Sequence, residues 1–239
     1  MSDQLYLSRA RLRAGRGEAL SAIAPLLLPD DTRHQAGHAH RILWLLFQDT
    51  PDSKRDFLWR DEGGGKYMIL SPRPPSDPLG LFELDSKPFA PALEAGDALS
   101  FALRANPVVA SKPARTLQRL EKGGPRTRGQ KVDVVMHALK DVPKGARGTV
   151  RDEVAAQAGT AWLTSQGGKS GFRLAAPPLV DGYAQVPVER RKGRPAGFSV
   201  LNFAGRIEIT DPAAFLAKLA SGFGSAKAFG NGLMMIRRA

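Results

Sequence analysis

The side chains of this sequence best suited to move protons near neutral pH are its four histidines, His34, His38, His40 and His137. An imidazole of ordinary pKa, ~6.5, can both take and give a proton there, which makes histidine the usual agent of general acid–base catalysis. Three of the four fall between residues 34 and 40. His34 and His38 are four apart, a spacing that can turn two imidazoles toward zinc from one helical face. The chain has no cysteine, so disulfides, thiolate metal sites and cysteine nucleophiles are excluded. No further acidic or histidine cluster with ligand spacing joins the His34–His38 pair. Histidine is thus a candidate for proton transfer, and no metal or other cofactor is expected.

Elements must position these groups. Leu5 to Leu12 reads as an opening strand in which Arg9, Arg11 and Arg13 alternate with Ala10 and Leu12 and share one face. A loop with Pro25, Pro29 and Asp30-Asp31-Thr32 leads into a helix from about Gln35 to Gln48. Ala39, Ile42, Leu43, Leu46 and Phe47 recur on it at helical spacing and must face a core. Phe57 to Arg60 and Tyr67 to Ser71 flank Gly63-Gly64-Gly65, a hairpin signal. Pro72, Pro74, Pro75 and Pro78 leave room for only a short helix or none. Leu81 to Leu84 would close this unit as an edge strand, and Pro88, Pro91 and Gly96 mark a linker.

Past that linker the order repeats. Leu99 to Ala105 is a strand and Glu153 to Ser165 a helix. Tyr183 to Ile209 holds two strands around a tip at Lys192-Gly193-Arg194-Pro195. Pro212 to Leu219 is an amphipathic helix with Asp211 as N-cap, and Leu233 to Ile236 is a last strand. Two passes of strand, helix, strand, strand, helix, strand predict an α+β chain of two tandem ferredoxin-like (βαββαβ) domains, 1–92 and 97–239.

The charge balance indicates a partner. Thirty-five Lys and Arg against 23 Asp and Glu give a formal charge of +12. Such a surface attracts polyanions through counterion release, and arginine in excess of lysine suits bidentate phosphate and guanine contacts. Between Ser111 and Lys131 lie Lys112, Arg115, Arg119, Lys122, Arg126, Arg128 and Lys131 against the single acid Glu121. This stretch reads either as a solvated loop or as an RNA backbone contact. The longest apolar run, Ile42 to Phe47, is six residues, far short of the ~20 that span a bilayer. Met1-Ser2-Asp3-Gln4 lacks the order of a secretory signal. No membrane partner and a cytoplasmic location are expected.

Three segments together resemble the type I-E CRISPR RNA-processing endoribonucleases, the CasE family. Leu5-Tyr6-Leu7-Ser8 is similar to the family's opening strand, and Phe101-Ala102-Leu103-Arg104-Ala105-Asn106-Pro107 to its Phe-x-Leu-Arg-Ala-Asn-Pro signature. The run Gly222-Phe223-Gly224-Ser225-Ala226-Lys227-Ala228-Phe229-Gly230-Asn231-Gly232-Leu233 is similar to its glycine-rich C-terminal loop. The segments occur in matching order along nearly the whole chain. The resemblance implies the tandem ferredoxin-like fold, CRISPR repeat RNA as substrate and crRNA as retained product. It also implies assembly with other subunits of a Cascade surveillance complex.

It further implies a site. Gly37-His38-Ala39-His40-Arg41-Ile42-Leu43 aligns with the family's Tyr-x-x-His-x-x-Leu, which places the catalytic histidine at His40 and a glycine, Gly37, where the family has tyrosine. His38, Arg41 or Tyr6 would have to stand in for that phenol; otherwise the chain is weakly active or only binds RNA. Metal-free RNA cleavage requires that the 2′-OH lose a proton, that cations or fixed donors stabilise the phosphorane, and that the leaving 5′ oxygen be protonated. Its products are a 2′,3′-cyclic phosphate and a 5′-OH.

Two further segments would hold RNA. Arg190, Arg191, Lys192 and Arg194 lie at the tip of the predicted ribbon, and a basic ribbon can enter an A-form groove too narrow for single side chains. Gly222, Gly224, Gly230 and Gly232 would either let backbone N–H groups approach a phosphate, with Lys227 beside it, or form a tight helix-to-strand connection. Lys227 lacks the neighbours of a nucleotide-binding loop. Arg104 could face either RNA or a core carboxylate.

Overall fold

The computed structural model describes residues 4–13, 35–47, 56–111, 130–188 and 196–239. The first sheet is built from β1 (Leu5–Leu12), β2 (Leu58–Gly63), β3 (Lys66–Ser71) and β4 (Phe82–Phe89), in the order β2-β3-β1-β4 with every neighbour antiparallel. This is the ferredoxin-like order, crossed once by α1 (Gln35–Trp44), which runs on as a 3₁₀ turn at Leu45–Phe47. Residues 72–81 contain no helix, one of the two outcomes their prolines allow.

Side-chain alternation gives this sheet two different faces. Ala10 lies opposite Tyr67, and Tyr67, Ile69 and Trp59 join Ala39, Ile42 and Leu43 of α1 and Leu46 of the 3₁₀ turn in one core. On the other face Arg9 and Arg11 are exposed, with Arg11 3.8 Å from Glu83. Farther along that face Leu58 and Leu70 pack with Leu233, flanked by Leu5, Leu7 and Met235. Pro88, read from sequence as linker, is instead in β4 opposite Tyr6. β4 is an edge strand, where a missing N–H costs no ladder bond.

The second sheet has the order β11-β5-β10-β8, formed by β5 (Ala98–Ala105), β8 (Phe172–Leu174), β10 (Ala196–Ile209) and β11 (Met234–Arg238). β9 (Leu179–Val188) also pairs with β10, with a register shift between Val200 and Asn202. β6 (Val108–Ser111) and β7 (Gln130–Asp133) make a separate ribbon. It is followed by α2 (Val134–Ala138) and then α3 (Arg147–Gly168). Near the C-terminus α4 (Pro212–Ser221) has Pro212 at its start and the Asp211 carboxylate accepting from the Ala214 N–H.

Phe101, Leu103, Trp162, Leu163, Phe172, Phe203, Phe215 and Leu219 fill the core between this sheet and its helices. The chain is thus α+β with two ferredoxin-like strand orders in tandem. Among the described residues no helix is long and apolar enough to cross a membrane.

Candidate functional site

His40 sits on α1, half-buried. Its ring lies 5.8 Å from Trp44, one helical turn on, and 6.3 Å from Phe57, which leads into β2. Trp44 and Phe57 are themselves 5.7 Å apart, and Phe57 stacks on Phe47 at 4.4 Å. An aromatic wall therefore limits the orientations open to the imidazole. His137 is exposed at the end of α2. His34 lies outside the described residues, as does the side chain of His38. Arg41 is exposed, and Tyr6 lies on β1 opposite Ser71 and Pro88.

α1 contacts a short 3₁₀ turn, Lys227–Phe229, contributed by the glycine-rich run near the C-terminus. That run is locked to both sheets. The Trp59 indole Nε1–H donates to the Ala228 carbonyl at 3.3 Å, the Ser225 N–H to the Asn106 carbonyl at 3.0 Å and the Gly232 N–H to the Arg104 carbonyl at 2.8 Å. The glycines permit this packing. A Cβ at Gly222 would come 2.9 Å from Leu58, one at Gly230 2.8 Å from the Trp59 ring, and at Gly224 and Gly232 a Cβ would meet backbone oxygens at 2.5 Å. Each also has a positive φ, which L side chains rarely adopt. The Lys227 ammonium donates to the Ser221 carbonyl at the end of α4. The structure thus brings His40 and Lys227 to one junction, on helix and turn respectively.

The sequence-predicted ribbon exists as β9 paired with β10, from Leu179↔Ala204 up to Val188↔Ala196. Arg190, Arg191, Lys192 and Arg194, expected at its tip, lie outside the described residues, as does the basic stretch 112–129. Arg104, half-buried on β5, reaches Asn202 Oδ1 at a long 3.5 Å. Burial lowers its pKa most, the nearby Arg60 lowers it further, and Asp61 acts in the opposite sense. Tyr67, on the α1 side of the first sheet, is pushed up to about 12 by burial and by Asp61.

One cluster was not read from sequence. Asp133, at the end of β7, accepts from the Met136 N–H at 2.6 Å, from the Tyr183 hydroxyl at 2.9 Å and from the Ser199 hydroxyl. Asn106 of the signature segment donates to the Ser199 carbonyl at 2.7 Å. Burial and the Asp133 charge raise Tyr183 to about 12, so its phenol stays a donor at any working pH. Asp133 stands one residue before a helix of apolar start, a visible N-cap signal. Its partners at 183 and 199 are too distant in sequence for any local pattern to reveal. Among the described residues no group of three or more His, Asp and Glu could hold a metal ion.

Known proteins share this fold. A family model described as CRISPR associated protein matches residues 5–238. The CRISPR-associated endoribonuclease Cse3 of Thermus thermophilus is 32% identical over 161 residues, which cover 63% of this chain and 60% of that protein. The sequence match therefore spans less than two thirds of that relative's length. Among solved structures, Thermus thermophilus Cse3 bound to an RNA representing a pre-cleavage complex superposes with a TM-score of 0.62 at 25% identity, over 98% of this chain and 99% of that one. A chain of a CRISPR RNA-guided surveillance complex shares the fold, with a TM-score of 0.59 at 17% identity over 98% and 100% of the two chains. With a family match that runs through both sheets, the chain belongs to the CRISPR associated protein family.

Proposed function

We propose that this chain is a metal-independent endoribonuclease that cuts CRISPR repeat RNA at the base of its stem-loop and retains the crRNA. In the step it would catalyse, the 2′ oxygen attacks the adjacent phosphorus, the P–O5′ bond breaks, the 2′ proton leaves and the 5′ oxygen gains one. The products are a 2′,3′-cyclic phosphate and a 5′-OH. His40 performs one of the two proton transfers, and Lys227 supplies charge to a phosphate nearby. Arg190, Arg191, Lys192 and Arg194 grip the stem, and the backbone around Gly222, Gly224, Gly230 and Gly232 borders the RNA path. The two domains are 1–92 and 97–239. The protein works with other Cascade subunits, as a chain of the same fold does in a surveillance complex, and does so in the cytoplasm.

The observation that carries this reading is the contact of α1 with the Lys227–Phe229 turn. It gathers a half-buried histidine and a lysine from opposite ends of the chain in a fold shared with an RNA-bound endoribonuclease. A non-catalytic RNA-binding subunit is the second reading, favoured by Gly37 where the resembled family carries tyrosine. Incubation of the purified protein with a palindromic repeat RNA in EDTA separates the readings. The expected outcome is a single cut at the 3′ base of the stem, leaving a cyclic phosphate. Tight binding without a cut would establish the second reading, and cutting only after metal is added would refute metal independence.

A further inference from the structure

We infer that the cleft between the β6–β7 and β9–β10 ribbons binds an unpaired nucleotide flanking the RNA stem; the inference rests on the RNA-processing reading above and adds a site to it. The cleft is open to solvent and offers about 620 Å³, comparable with pockets that hold small ligands. Its floor is polar and already satisfied. The Asp133 carboxylate accepts from the Ser199 and Tyr183 hydroxyls and the Met136 N–H, while Asn106 is held by the Ser199 carbonyl. Such a floor is rigid, and its three donors offset the one negative charge that would oppose an anionic ligand.

The walls have a different character. Phe198, Val108 and Met136 line the cleft with apolar surface. Met136 is 46% exposed, one of three large hydrophobics so exposed among the described residues. Lys131 and Gln185 stand among them. The Lys131 ammonium is 3.3 Å from the Ser225 hydroxyl. Gln185 donates to the Tyr183 hydroxyl at 3.1 Å. An apolar wall with one aromatic ring, an amide and one ammonium match the three parts of a nucleotide, namely a base face, a base edge and a phosphate.

The position of the cleft suits a nucleotide beside the stem. β9 and β10 are the strands that lead to the basic tip proposed to hold the stem. β6 and β7 are joined by residues 112–129, which carry six Lys and Arg against one Glu. Phe198 lies 5.1 Å, ring to ring, from Phe229 of the Lys227–Phe229 turn. Since α1 touches that turn, the cleft and His40 are separated by one short element. A base held against Phe198 would fix the chain direction of the strand that enters or leaves the cut.

The test compares a repeat stem-loop carrying a short unpaired flank, with a 2′-deoxyribose at the scissile position so that the flank stays attached, with the same stem-loop cut blunt, by equilibrium binding to the full chain in EDTA. The wild type should bind the flanked RNA about tenfold more tightly, the scale of one base–aromatic stack. Phe198→Leu, which keeps apolar packing on Phe229, and Met136→Asp, which places a charge at an exposed position, should each remove that advantage and leave blunt-RNA affinity unchanged. Equal affinity of the wild type for both RNAs, or variants that weaken both alike, would overturn the site while the RNA reading stands. A wild type that binds neither RNA would remove the RNA reading, and the site with it.

Discussion

Gly230 takes φ 74°, and a Cβ there would press to 2.8 Å on a Trp59 ring whose indole nitrogen is bonded to Ala228. Left-handed backbone at a non-glycine residue and a forced ring shift each cost on the order of 1–3 kcal/mol. Gly230→Ala should therefore destabilise the protein by about 2–6 kcal/mol in urea unfolding, and it should loosen the turn that borders α1. An unchanged midpoint would mean that the turn is not locked as described. The glycine run was visible in the sequence because four glycines so spaced stand out. Its mate was not visible, because Trp59 lies in β2, far from Gly230 in the chain, and carries no mark of its partner. The same limit hid Asp133, Tyr183 and Ser199, whose hydrogen bonds join three separate strands. His40 was located by matching a motif and not by its surroundings. The aromatic wall of Trp44 and Phe57 appears only when the helix end and the entry to β2 come together.

At the scale of elements, strands with clean alternation were legible nearly to the residue. β1 spans Leu5–Leu12 and β3 spans Lys66–Ser71, because exposed Arg9 and Arg11 alternate with buried Ser8 and Ala10 in β1 and the turn glycines bound β3. α4 was legible from Asp211 and Pro212, which cap and start it. α3 begins at Arg147, six residues before the apolar pattern announced it, with Ala146 making no side-chain cap bond. A helix without a start signal has no readable beginning. β4 runs on through Pro88 to Phe89 because an edge strand tolerates proline.

The β9–β10 ribbon is the element that presents the proposed stem grip. Replacing Arg190, Arg191, Lys192 and Arg194 together by alanine should flatten the plot of log affinity against log salt by about 0.9 for each phosphate that is no longer neutralised. The measurement is a salt titration of binding to a repeat stem-loop. An unchanged slope would show that these cations do not touch the backbone.

For the molecule as a whole, two ferredoxin-like sheets meet through Leu58, Leu70 and Leu233 and through the glycine-rich run. The formal charge of +12 favours a polyanion whatever the chemistry of the site, so affinity for RNA cannot by itself distinguish an enzyme from a binding subunit. What separates them is whether the junction of α1 and the Lys227–Phe229 turn performs chemistry on the bound strand. The decisive measurement is the single-turnover cleavage of a palindromic repeat RNA in EDTA by His40→Ala beside the wild type, with affinity determined on the same RNA. Cleavage should fall by at least ~10²-fold, the scale of a lost general acid or base, while affinity stays within about twofold. A variant that cuts at the wild-type rate would contradict the assignment of His40, and with it the account of this junction as an active site.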